Sequence, residues 1–189
     1  MKMYRLMLKS DYVSTSHFPF QTDHELGLDS SLVSQIVGYK DQSRLPDTYT
    51  FYYHGTIRGN VVVVTPGVFL CVSRLKQEFE KHTGFSFSKT ILIDIDFSTE
   101  VKGYYLFRPN RIIHGLINDK ISNWSYFGKD RSYQFKSYKK IGLIKSSVDQ
   151  LEEEVFKISE APLFVYIKES LLSTFANLPM FAIEEVQIA

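Results

Sequence analysis

Asp94 and Asp96 stand two residues apart in the run ILIDIDF (91–97). On a strand, alternate positions put both carboxylates on one face, where with outside ligands they would hold a divalent cation and activate a water. The solvent face of an edge strand accounts for the pair with less, and no EF-hand glycine or glutamate follows at the required spacing. The five histidines, His17, His24, His54, His82 and His114, form no zinc-ligand spacing. His82 is expected in the last turn of a helix, where a partly positive imidazole is favourable. His114 lies near Arg108 and Arg111 in RPNRIIHG and would suit an anion, but a turn between two sheet segments explains the run with less. Cys71 is the sole cysteine, set in the apolar run 68–72, so no intrachain disulfide can form and an inert buried thiol is expected. No phosphate loop or dinucleotide fingerprint occurs. The expectation is a protein with no catalytic residues, no metal and no cofactor. A metal-dependent enzyme using Asp94 and Asp96 is the alternative.

The other chemically suggestive stretch, 118–140, interleaves Trp124, Tyr126, Phe127, Tyr133, Phe135 and Tyr138 with six basic residues against two acidic ones, a net of +4. Paired strands with lysines facing water would explain it. So would a protein interface with Trp124, Tyr126, Arg131 and Tyr133 as anchors, or a stacking surface for single-stranded nucleic acid. Nucleic acid ranks last, because a chain of formal charge +1 is a poor electrostatic trap for a polyanion. The segment 148–189 is the opposite, with eight acidic residues against two lysines, a net of −6. Glu152, Glu153, Glu154, Glu184 and Glu185 are its candidates for meeting a basic partner.

These residues need a scaffold. A chain of 189 residues that is 44% hydrophobic and 23% charged fits one packed domain, 1–189. No apolar stretch approaches membrane-spanning length and the start, MKMYRLMLKSDY, lacks a signal-peptide core, so a cytoplasmic protein without a membrane is expected. Tyr4, Leu6 and Leu8 alternate as an opening strand; 10–30 is polar and loop-like around Pro19, and 31–39 is ambiguous with one short helical face. Segments 48–53, 60–65 and 68–72 read as strands, with Gly55 and Gly59 turning the chain between the first two. Ser73 is the expected N-cap of a short amphipathic helix carrying Leu75 and Phe79, which Gly84 stops. Phe85 and Phe87 open the next extended segment. Ile91, Ile93, Ile95 and Phe97 are expected to line its inner face and Leu92, Asp94 and Asp96 its outer one. Strands are also expected at 104–107 and 151–158.

Residues 162–188 repeat the plan of 66–95: Phe164 corresponds to Phe69, Ile167 to Val72, Leu171 to Leu75, Phe175 to Phe79 and Phe181 to Phe85. Duplication and a shared burial rule explain this equally well. The fold class is therefore α+β, a mixed, mostly antiparallel sheet or sheets with a few short amphipathic helices and two loosely similar strand-helix-strand units.

With its Tyr-bearing opening MKMYRL and its segment VSRLKQEFEKHTGFSF, the chain resembles immunity class eleven of the polymorphic-toxin systems, once catalogued as a domain of unknown function. The terminal unit carries LPMFAI where that pattern has Thr-Gly. The resemblance implies a non-enzymatic cytoplasmic immunity protein in bacterial competition, one that binds and neutralises a cognate toxin domain by occluding its active site. These are packing motifs, so the resemblance transfers no site residues. A nuclease toxin, whose substrate is a polyanion, would present the basic surface that the acidic segment fits.

Overall fold

A computed structural model describes residues 1–9, 20–21, 47–54, 57, 60–65, 68–127, 135–161 and 164–189. The expected loop around Pro19, the helical face of 31–39 and the Gly55–Gly59 turn lie outside them, apart from a two-residue strand. The first half contains β1 (Met3–Leu8), β2 (Phe20–Gln21), β3 (Thr48–Tyr53), β4 (Val61–Thr65), β5 (Val68–Val72), α1 (Ser73–Phe79) and β6 (Phe85–Asp94). Next come β7 (Thr99–Val101), β8 (Tyr104–Pro109), β9 (Ile112–Ile113), β10 (Asn123–Phe127), β11 (Phe135–Lys140) and β12 (Gly142–Leu143). The chain continues through α2 (Lys145–Val148), β13 (Val155–Ile158), β14 (Val165–Lys168), a 3-10 turn (Glu169–Leu171), α3 (Leu172–Ala176) and β15 (Phe181–Ile188).

The fold is α+β and mostly antiparallel, with short helices. Sheet I has the order β12-β15-β1-β14-β13-β9, and sheet II the order β2-β3-β6-β8-β5-β4 with β7 paired to β6. Strands β10 and β11 form a separate ribbon. The parallel pairs are β3 with β6, β12 with β15 and β13 with β9.

Side-chain alternation sorts the cores. On β1, Tyr4 and Leu6 enter a core also built from Phe69, Cys71 and Phe107 of sheet II, Val165 and Ile167 of β14, and Phe79, Leu171 and Phe175 of the helical segments. On β5 and β8, Leu70 and Leu106 leave by the opposite face and join Tyr49, Phe51, Tyr53 and Leu92 in a second core. Met3, Tyr166, Phe156, Val186, Leu143 and Val148 form a third on the far face of sheet I. The two strand-helix-strand units meet in the first core, where Phe79 stacks on Phe175 at 5.3 Å and Phe69 meets Phe181 edge-on at 5.0 Å. Each buried phenylalanine contributes on the order of 1.5–3 kcal/mol.

Four local expectations are corrected. Ser73 is the first residue of α1 rather than its cap; Val72 holds the cap position without a side-chain bond. The helix ends at Phe79, leaving His82 in the following turn. In β6 the burial is the reverse of that expected: Thr90, Leu92 and Asp94 are buried and Ile91 and Ile93 only partly so. On that face Leu92 packs with Tyr49, Phe51 and Tyr53 of β3 and with Leu70 and Leu106 in the second core. The strand also stops at Asp94, which leaves Phe97 74% exposed in the turn. Residues 151–154 are not strand, which begins only at Val155.

Gly84 acts beyond the helix. Its φ is +96°, and a Cβ there would lie 2.4 Å from the Val155 carbonyl oxygen, so only glycine lets this turn close against β13.

Candidate protein-binding surface

Trp124 and Tyr126 alternate on β10, and their partners on β11 are Tyr138 and Lys136, so these four side chains share one face of the ribbon. Tyr138 packs against the third core, which seats that end of the ribbon on the body. Trp124, opposite Tyr138, is half-buried, and Tyr126, one step further along the ribbon, is 57% exposed, their rings meeting edge-on at 5.2 Å. Lys136 Nζ lies 4.3 Å over the Trp124 ring, and the same ammonium pairs with Asp119. Tyr138 Oη donates to Asp119 Oδ1 at 3.4 Å. The indole thus has a cation over its ring and an edge-on contact with the Tyr126 phenol. The opposite ribbon face is polar, with Asn123, Ser125, Ser137 and Lys139 exposed. Of the four expected anchors, Trp124 and Tyr126 come together, while Arg131 and Tyr133 lie outside the described residues.

The acidic candidates separate into two groups. Glu152 and Glu185 are exposed. Glu153 is only 13% exposed and ion-pairs with Arg111. Burial pushes the Glu153 carboxyl pKa up, but the Arg111 bond and its own backbone amide outweigh that and hold it below the usual range. Glu154 accepts from the Thr83 amide at 3.0 Å, from His82 Nδ1 at 3.2 Å and from Ser170 Oγ at 2.5 Å. There too burial raises the pKa, and the bonds from Ser170, Thr83 and His82 bring it down. Glu184 ion-pairs with Arg5, which is 4% exposed on β1. Glu185 lies 3.5 Å from Lys2. In register, Glu185 is opposite Tyr4, Tyr4 opposite Ile167 and Ile167 opposite Val155. Three strand spacings of about 4.8 Å therefore separate Glu185 from the 152–154 turn, and the acidic residues do not form one patch.

The residues singled out for chemistry disperse. Asp94 is not on a solvent face: it is buried, and its Oδ1 accepts from the amides of Asp96 at 2.9 Å and Phe97 at 3.3 Å, closing the turn after β6. Asp96 instead faces His54, whose Nδ1 lies 2.9 Å from its Oδ1. Among the described residues, no three His, Cys, Asp or Glu side chains are grouped to hold a metal. Arg108 is buried and donates to Ser86 Oγ at 3.3 Å and Tyr49 Oη at 3.4 Å, Arg111 is committed to Glu153, and His114 is exposed, so they make no common anion site. Burial pushes the Cys71 thiol up to about 12, which removes it as a nucleophile at neutral pH. Among the described residues no helix is long and apolar enough to cross a membrane.

Sequence patterning missed the Arg5–Glu184 pair and the bonds around Glu154. A lone arginine inside the apolar strand MYRLML was the available signal for the first. The second joins Glu154 to residues 16, 71 and 72 positions away and has no local signature. Compared with models of protein families and with curated proteins, the chain matches none.

Proposed function

We propose that the protein is a non-enzymatic immunity protein of bacterial competition, acting in the cytoplasm by binding a cognate toxin domain and covering its active site. The observation that carries this reading is the ribbon, one face of which presents a half-buried Trp124 and a protruding Tyr126 beside Lys136. Aromatic side chains held in one conformation lose little entropy on binding and dominate protein interfaces. The conspicuous carboxylates support the same reading, because Asp94, Glu153 and Glu154 are spent on holding turns and segments together. Glu152 and Glu185 remain to steer a basic toxin, a nuclease being the class with that surface.

The test begins with the neighbouring open reading frames. A large secreted protein with a variable carboxyl-terminal domain is expected, and that domain should bind this chain and lose its toxicity. Tyr126→Ala should weaken the complex by about 30-fold or more, equal to ~2 kcal/mol, without altering the fold. Salt-sensitive oligonucleotide binding, or metal-dependent turnover lost in Asp94→Asn with Asp96→Asn, would replace this reading with one of its rivals.

A further inference from the structure

Arg5 Nη1 and Tyr166 Oη are buried in sheet I and have no hydrogen-bond partner among the described residues. An orphaned buried polar group costs about 1–3 kcal/mol, more when charged, and native proteins rarely leave one. The two residues are neighbours: Arg5 on β1 is directly opposite Tyr166 on β14. Directly opposed residues send their side chains from the same face, with Cβ atoms about 5 Å apart. Met3, two positions from Arg5, lies with Tyr166 in the third core, which identifies the face. The Arg5 guanidinium sits 4.5 Å over the ring of Phe164, two residues before Tyr166. Its other terminal nitrogen, Nη2, is engaged by the Glu184 carboxylate and by the Lys139 carbonyl at 3.4 Å.

We propose that Arg5 Nη1 and Tyr166 Oη bind a single internal water that bridges β1 and β14 on the face of sheet I toward the ribbon. Charge decides between water and a small anion. Glu184 already neutralises Arg5. Burial raises the Tyr166 phenol pKa, the Arg5 charge opposes this, and Glu184 and Glu160 push it up again, so a second negative charge would meet two carboxylates. A water accepts from the guanidinium and exchanges a hydrogen bond with the phenol at no net charge. Its role follows from the Lys139 carbonyl: the water immobilises the arginine that ties β11 to sheet I.

The test is crystallography of the wild type and of Tyr166→Phe, which removes one oxygen and leaves the ring, with wild-type crystals also grown in bromide. One ordered water within hydrogen-bonding distance of both atoms is expected in the wild type. No anomalous bromide signal should appear there, and Tyr166→Phe should lose or displace the water while keeping the fold. A direct Arg5–Tyr166 bond, an empty space between them or a bromide peak would overturn the proposal. Should Tyr166→Phe fail to fold, the two wild-type crystals decide the matter alone.

Discussion

Glu154 carries more of the structure than any other carboxylate described here. Its bonds to Thr83, His82 and Ser170 join the turn after α1, the entry to β13 and the 3-10 turn. Glu154→Ala should lower stability by about 1–3 kcal/mol in chemical denaturation. Because its folded pKa lies below the ordinary 4.5, its contribution is full above that value and is lost as pH falls through the lower, folded one. Acid titration should therefore show the wild type losing stability faster than Glu154→Ala below about pH 4.5. Asp94 obeys a different rule, since its duty is to accept two amides. Asp94→Ala should cost about 1–3 kcal/mol, whereas Asp94→Asn, which retains Oδ1, should cost under ~1 kcal/mol by thermal melting. The carboxylates at 94 and 96 were visible in the sequence, but their faces were not. Alternation fixes which residues share a side, and which side is buried depends on the second core, where Leu92 meets residues of β3, β5 and β8.

The ribbon of β10 and β11 separates two kinds of aromatic residue. Trp124 is half-buried under Lys136, so Trp124→Ala should loosen the ribbon as well as any complex, visible as faster amide exchange at Lys136 and Tyr138. Tyr126→Ala, which gives up one edge-on contact of a mostly exposed ring, should change exchange less than Trp124→Ala while weakening binding, which makes it the cleaner test of an anchor. Reversing Glu152 and Glu185 to lysine should slow association with a basic toxin by about 10-fold at low salt, with the deficit shrinking as salt rises. Equal on-rates at low ionic strength would exclude these two residues. Including Glu153, Glu154 or Glu184 in the reversal would confuse steering with lost partly buried ion pairs and hydrogen bonds, whereas Glu185 gives up only its exposed pair with Lys2. The pairing was foreseeable in part, since interleaved aromatic and basic residues suited paired strands with lysines facing water. What alternation alone could not supply was the register shift between Asn123 and Trp124 that brings Trp124 opposite Tyr138.

At the scale of the molecule, the similar units at 66–95 and 162–188 share the first core through the Phe79–Phe175 stack. Truncating either ring to alanine should cost about 3–5 kcal/mol, and the double variant should lose less than the sum, because each ring already lacks its neighbour. Urea denaturation of the two single variants and the double checks this. The correspondence of these phenylalanines was legible because burial imposes the same spacing on both units, while the order of strands in sheet I was not, because its partners are remote in sequence. That order has a kinetic consequence. Strand β1 lies between β14 and β15, so its first residues leave the ribosome long before either neighbour exists. At about 5–20 residues per second, Tyr4 and Leu6 wait on the order of 10–40 seconds for residues 165–188. Throughout that interval the opening strand is an unpaired apolar edge, a natural client for a holding chaperone, and sheet I closes only after translation has passed β15.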